Sequence, residues 1–225
     1  MQRRWPLAIA LTALIAVAGC HHRRPGLPPA THVPSSLPAP LPGHWVEQGI
    51  ASWYGVPYHG RRAADGEVYN MYKMVAAHRT LPFNSVVRVT DLKNGKQVVV
   101  RIIDRGPFVN NRIIDLSFAA ARALDMVGPG IAPVRLQLVS GSNPEAGDFT
   151  VQVGAFAVRS NALRLQQRLE PRYGSVFVQQ YDSPKGLLYR VRVGAVQGEA
   201  AAQRLARQLH REDHFPQTFV VRLDR

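Results

Sequence analysis

"VVRVTDLKNGKQVVVRIIDRGPF", Val86 to Phe108, decides the architecture of the first half of this 225-residue chain. Two runs rich in β-branched residues flank Asn94-Gly95, a dipeptide that tolerates the positive φ angles of a tight hairpin turn. The second run places five hydrophobic residues in the six from Val98 to Ile103, interrupted only by Arg101. It then stops on an acid, a base, a glycine and a proline. An aspartate at a strand end caps a turn by accepting hydrogen bonds from nearby backbone N–H groups. A strand end on a rigid scaffold is also a place where a catalytic carboxylate is held. The stretch by itself leaves both readings open for Asp104.

Outward from this hairpin, "GIASWYG" from Gly49, "IIDLS" from Ile113 and "VRLQLV" from Val134 read as further short strands. "LSFAAARALDM" from Leu116 is the one good helical pattern of this half, with Leu116, Ala120 and Leu124 on one face and Gly128 beyond its end. Asp115, just before that run, is expected to cap the helix or pair with a cation there. Several short strands with a single helix predict a small closed barrel over 47–139.

After a linker over 140–148, "SGSNPEAG" and the residue following it, the chain repeats itself. "VQVGAF" from Val151 and "VRVGAV" from Val191 align at an offset of 40, and the same offset carries Leu165 and Leu169 onto Leu205 and Leu209. Each half reads strand, helix, strand, which predicts a ferredoxin-like βαββαβ domain over 149–225. The leucines stand at helical spacing and pack the helices on the sheet. In the first strand of each half, alternation turns the valines toward the helices. Thr150, Gln152, Arg190 and Arg192 then lie on the opposite face of two neighbouring central strands. That face is expected to be open and polar, either plainly solvated or a surface for a sugar chain.

The formal net charge of +13 is spread along the chain: +4 over 1–46, +5 over 47–139, −2 over 140–148 and +6 over 149–225. Excess charge in both folded parts suits a polyanionic partner without choosing one. The N-terminus narrows the choice. Arg3 and Arg4 precede a short apolar run from Leu7 to Ala18, which has signal-peptide character and is too short to span a bilayer. The run ends "AVAGC", where Cys20 is the only cysteine of the chain. It resembles a lipobox, so residues 1–19 are expected to be removed and Cys20 lipidated. Export makes a nucleic acid an unsuitable partner. The segment 20–46 is rich in proline with no acidic residue before Glu47, and is expected to be an extended spacer. Its scattered histidines lack a metal-ligand spacing.

Six blocks in order, "GIASWYG", "DGEVYN", "VAAHRTLPF", "VRVTDLKNGK", "VVVRIIDRGPF" and "RIIDLSFAAARAL", resemble the rare lipoprotein A family. The C-terminal repeat resembles a SPOR domain, a module that binds peptidoglycan glycan strands stripped of their stem peptides. The resemblance implies a mainly β plus α+β chain, a double-psi β-barrel followed by the ferredoxin-like SPOR domain. It implies a lytic transglycosylase acting at division septa, with Asp104, Glu67 and His78 at its catalytic centre. Ile103 stands where the family usually has Asn, "AADGE" replaces a "TANGE"-like run and Val75 replaces a Thr; none of these removes a carboxylate. His21 after the lipidated cysteine, where an Asp would favour inner-membrane retention, points to an outer-membrane anchor.

The chemistry fits two carboxyl groups. Cleaving a glycosidic bond needs a proton on the leaving oxygen while positive charge builds on the sugar. In a lytic transglycosylase the muramoyl 6-hydroxyl is the nucleophile, so one carboxyl group can donate a proton and later take one back. Asp104 is read as that general acid/base and Glu67 as its charge partner or as a substrate orienter, with the reverse assignment open. His78 orients a carboxylate, binds a sugar or is structural. Trp53 and Tyr54 are candidates for stacking on sugar rings. Arg105, Gln152, Arg190 and Arg192 are candidates for holding glycan. No phosphate loop, dinucleotide fingerprint or thiolate-metal spacing is present, so neither cofactor nor metal is expected. The protein is expected to act as a monomer. A noncatalytic septal glycan-binding lipoprotein, with a barrel that grips glycan as expansins do, is the alternative.

Overall fold

The computed structural model describes residues 45–224. Cys20, the lipobox and most of the proline-rich spacer lie outside the described residues. Six strands close a barrel: β1 (Val46–Tyr54), β2 (Val75–His78), β3 (Val86–Asp91), β4 (Gln97–Asp104), β5 (Arg112–Ser117) and β6 (Ile131–Ser140). Their order around it is β1-β5-β2-β4-β3-β6, with β6 returning to β1. Two pairs, β1/β5 and β2/β4, run parallel, and the other neighbours run antiparallel. This is the expected double-psi barrel, with the hairpin turning at Gly95, whose φ is 72°. Along β4, Val98, Val100 and Ile102 are buried in the barrel core, while Ile103 turns into a satellite cluster with Tyr69, Met71 and Val75. The strand end is thus gripped by apolar packing on both sides, which fixes the position of the residue after it.

The helix α1 (Phe118–Ala123) is shorter than the sequence pattern predicts. Leu116 and Ser117 belong to β5, because both pair with Trp53 and Tyr54 in the parallel ladder. Ser117 caps the helix by accepting from Ala120 N, at 3.2 Å, so Asp115 does not cap it. Asp115 is instead a strand residue bonded by Ser52 and paired with Arg112 at 3.5 Å.

The second domain has β7 (Asp148–Phe156), α2 (Arg159–Tyr173), β8 (Val176–Ser183), β9 (Gly186–Gln197), α3 (Glu199–Glu212) and β10 (Phe219–Arg222). Its antiparallel sheet has the order β10-β7-β9-β8, so the two repeat strands are central neighbours as expected. Leu169 and Leu209 are buried, with Leu165 and Leu205 packed against the same core. The repeat also explains its glycines. A Cβ on Gly194 would lie 2.6 Å from Leu205 Cδ2, and one on the equivalent Gly154 would lie 2.9 Å from the Phe156 ring, with Leu165 Cδ2 at an ordinary 3.7 Å. Gly194 also has φ +77°, which an L side chain rarely adopts. Gly194→Ala is expected to cost about 1–3 kcal/mol through that strain. A denaturation midpoint unchanged from wild type would contradict this.

One expectation about the sheet is corrected. The face carrying Thr150, Gln152, Arg190 and Arg192 is not open, because all four residues are buried. The barrel covers it. Arg190 lies over the Phe108 ring at 4.4 Å, and the Phe108 and Phe219 rings meet edge to face at 5.9 Å. Arg222 Nε donates to Thr80 O at 2.7 Å, and the guanidinium of Arg105 forks onto Asp224 at 2.7 and 2.6 Å. Sequence alternation gave the correct face to these side chains, but not the surface that lies against them.

Candidate active site

Asp104 is the last residue of β4 and is partly buried. Its Oδ1 accepts from Arg105 N at 2.8 Å and from Ala64 N at 3.0 Å. Both bonds fall on one oxygen, which leaves Oδ2 as the atom able to carry a proton. Burial pushes the Asp104 carboxyl above the ordinary aspartate range, against the pull of those two N–H groups and of the Arg190 and Arg105 charges. A carboxyl group in this state is a suitable proton donor.

Two clefts meet at this residue. One, of about 850 Å³, runs between the barrel and the second domain and is lined by Ala64, Asp104, Arg105, Tyr181, Arg190 and Arg192. The other, of about 880 Å³, is lined on the barrel side by Trp53, Tyr54, Asp104, Asp115 and Phe118. Asp104, Arg105, Tyr181 and Arg190 line both. A linear substrate passing Asp104 would therefore meet an aromatic wall on one side and a cationic wall on the other.

The aromatic wall is rigid. Tyr54 stacks on Tyr69 at 4.2 Å, and the Tyr69 hydroxyl donates to Tyr54 O at 2.6 Å. Trp53 tilts against Phe118 at 5.7 Å and packs on the barrel core. Both aromatic candidates thus serve the packing and still face the cleft. Asp115, which the sequence pattern read as a helix cap or an ion-pair partner, shares this cleft with Asp104. Its carboxyl is also pushed up by burial, offset by the Ser52 hydroxyl and by the Arg112 and Arg79 charges. The signal for it in the sequence was the repeated strand-then-acid pattern in "RIID", at Arg101 and again at Arg112.

Glu67 sits on the loop whose Ala64 N–H reaches Asp104, but its own side chain turns elsewhere. It forks onto Arg101, at 2.8 Å for both oxygens, and lines neither cleft. The Arg101 hydrogen bonds hold its carboxyl below the usual glutamate range. Arg101 also donates to Asn84 at 2.7 Å, so the pair braces the loop on β4. His78 is buried, with Nε2 against Glu47 at 2.9 Å and Nδ1 accepting from Thr80 N and Leu81 N at 3.2 and 3.1 Å. The ring lines neither cleft at Asp104. Its carbonyl instead accepts from Arg105 Nη1 at 3.0 Å, which ties the histidine to the turn after Asp104. Arg105 completes that turn by stacking on Phe83 at 3.8 Å.

Two family models match successive parts of the chain. Residues 46–136 match the family model described as "Lytic transglycolase", and residues 145–222 match that of the SPOR domain. An endolytic peptidoglycan transglycosylase RlpA of Campylobacter jejuni is 44% identical over 146 residues, which cover 53% of this chain and 53% of that protein. The protein of the same description from Helicobacter pylori strain J99 is 40% identical over 185 residues, covering 69% of this chain and 58% of the relative. That from Pseudomonas aeruginosa strain UCBPP-PA14 is 56% identical over 89 residues, covering 40% of this chain and 26% of the relative. The matches thus span little more than half the length of the first two relatives, and about a quarter of the third.

Proposed function

The chain belongs to the rare lipoprotein A family, and from that premise we propose that it is a lytic transglycosylase that cuts the β-1,4 bond between muramoyl and glucosaminyl units of peptidoglycan. The observation that carries the reading is Asp104, a carboxyl group raised by burial at the meeting point of two clefts. Asp104 protonates the glycosidic oxygen as the bond to the muramoyl anomeric carbon breaks. Asp115, in the barrel-side cleft, faces the positive charge that develops on the sugar. The Asp104 carboxylate then removes the proton of the muramoyl 6-hydroxyl as that oxygen attacks the anomeric carbon, forming the 1,6-anhydro ring. No water is consumed, and Asp104 ends protonated as it began.

Glu67, held ionised by Arg101, is assigned to bracing the loop that carries Ala64 onto Asp104, and His78 to positioning the following turn through Arg105. Trp53 and Tyr54 stack on sugar rings leaving the cleft. The SPOR domain suits septal, peptide-free strands. Lipidation at Cys20 and an outer-membrane anchor facing the periplasm complete the proposal. Mass spectrometry of peptide-free strands digested by the full chain tests it. Fragments ending in anhydromuramoyl units, one water lighter than hydrolysis products, are expected. Strands that bind and stay intact would replace this reading with the noncatalytic one.

The pH profile follows from the site. The groups facing Asp104 are Arg105, Arg190, Tyr54, Tyr69 and Tyr181. The acid must be protonated to act, so kcat/KM falls as pH rises through its value. That alkaline limb is expected above the ordinary aspartate value of about 3.9. A limb at or below that value would contradict the assignment of Asp104 as the acid.

A further inference from the structure

The barrel strands set the two acids of the site in register. Across β1, β5, β2 and β4, Ser52 pairs with Asp115, Asp115 with Ala77 and Ala77 with Asp104. Paired residues point to the same side of a sheet, and neighbouring strands lie about 4.8 Å apart. The two acids therefore share one face at about 10 Å between their backbones, with the methyl group of Ala77 between them. Tyr54 stands two residues after Ser52 on β1 and so points to that face as well. Tyr54, Ala77, Asp104 and Asp115 all line the barrel-side cleft.

The Tyr54 ring is fixed by its stack on Tyr69 at 4.2 Å and by its edge-to-face contact with Tyr58 at 5.6 Å. Its hydroxyl is buried and finds no hydrogen-bond partner among the described residues. No other tyrosine hydroxyl is in that state among them. Tyr69, its stacking neighbour, donates to Tyr54 O at 2.6 Å. A buried hydroxyl left unpaired costs stability that a phenylalanine in the same stack would not. Such a group points to a partner that arrives with a ligand. Burial, with Asp104, Tyr69, Asp115 and Tyr181 around it, pushes the Tyr54 hydroxyl well above the ordinary tyrosine range. It therefore keeps its proton and serves as a hydrogen-bond donor.

We propose that the Tyr54 hydroxyl holds the muramoyl 6-oxygen between Asp104 and the anomeric carbon, and so decides that this oxygen, and not water, closes on the sugar. The inference rests on the transglycosylase reading and deepens it. In the closing step the 6-hydroxyl gives its proton to Asp104 Oδ2, and one lone pair of its oxygen forms the bond to the anomeric carbon. The other lone pair accepts from Tyr54, which keeps its own proton throughout. The 6-oxygen moves from the side of Asp104 toward the carbon whose positive charge faces Asp115, and Tyr54 shares a cleft with both acids. Ring closure and hydrolysis share the bond-breaking step and differ in which oxygen arrives next. An oxygen held in attacking geometry on the same sugar outruns a free water molecule.

The test is Tyr54→Phe in the full chain, with peptide-free strands as substrate and the two kinds of new muramoyl end, anhydro and hydrolysed, counted by mass spectrometry. The variant is expected to form anhydro ends about 10–100-fold more slowly, the effect of one hydrogen bond to a group that changes charge. KM should change little, and hydrolysed ends should take a larger share of the products. The denaturation midpoint should equal or exceed that of the unaltered protein, because the ring stack remains and an unpaired hydroxyl is gone. An unchanged rate with an unchanged product ratio would overturn the role of Tyr54 and leave the transglycosylase reading standing. A slower rate at an unchanged product ratio would also overturn it, since the hydroxyl would then serve bond breaking and not the choice of nucleophile. A lowered midpoint would make the hydroxyl structural, with the same consequence. Hydrolysed ends alone from the unaltered protein would overturn the transglycosylase reading itself, and the inference with it.

Discussion

Asp104→Asn is expected to lower the rate of anhydro-product formation by about 10²–10⁴-fold, the range general acid catalysis contributes. The amide fills the same space and its oxygen still accepts from Ala64 N and Arg105 N, so the turn is retained. What it lacks is a proton it can give to the glycosidic oxygen and a charge with which to take one from the 6-hydroxyl. In the proposed reaction Asp104 serves both halves, so replacing it removes both. Binding of strands should persist, since the aromatic wall and the arginines are untouched. A variant that folds, binds and still cuts at the wild-type rate would return Asp104 to a turn-forming role.

Arg105→Ala is expected to cost about 1.5–3 kcal/mol of stability, the range of hydrogen bonds to charged groups. The guanidinium is buried, while Asp224 stays open to solvent and is not stranded as a buried charge. The lost guanidinium forks onto Asp224 at 2.7 and 2.6 Å, donates to His78 O at 3.0 Å and stacks on Phe83 at 3.8 Å. It reaches from the turn after β4 to the end of the second domain. Its removal leaves the Asp224 carboxylate and the His78 carbonyl without their donor. Arg105→Lys should recover only part of the loss, because an ammonium cannot fork onto a carboxylate or stack on a ring in the same way. Chemical denaturation, with hydrogen exchange at β10 and at the turn after Asp104, reads the effect. A change under about 0.5 kcal/mol, the scale of ordinary surface substitutions, would contradict the account.

The hairpin at Asn94-Gly95 was legible because a turn dipeptide stands between β-branched runs, and the offset-40 repeat because its two strands and its helix leucines recur without a gap. β2 was not, because "VAAH" is only four residues long and owes its strand form to ladders with β4 and β5. The same long-range pairing took Leu116 and Ser117 from the helix and made Asp115 a cleft residue. Alternation placed Arg190 and Arg192 on the correct face of the sheet, but periodicity carries no information about what packs on that face. Glu67 and His78 show the complementary limit. Their blocks were recognisable, yet their side-chain directions depend on Arg101 and Glu47, which come from other parts of the chain. The turn after β4 was readable as a place for a carboxylate, and the two clefts that meet at Asp104 are what favour the proposed role over a plain turn cap.

Digestion of peptide-free strands in heavy-oxygen water tests the central claim most directly. If the muramoyl 6-hydroxyl attacks while Asp104 relays the proton, the new muramoyl ends contain no solvent oxygen, and the account predicts anhydro fragments free of label. Label at those ends would show that water attacks the anomeric carbon, and the protein would then be a hydrolase.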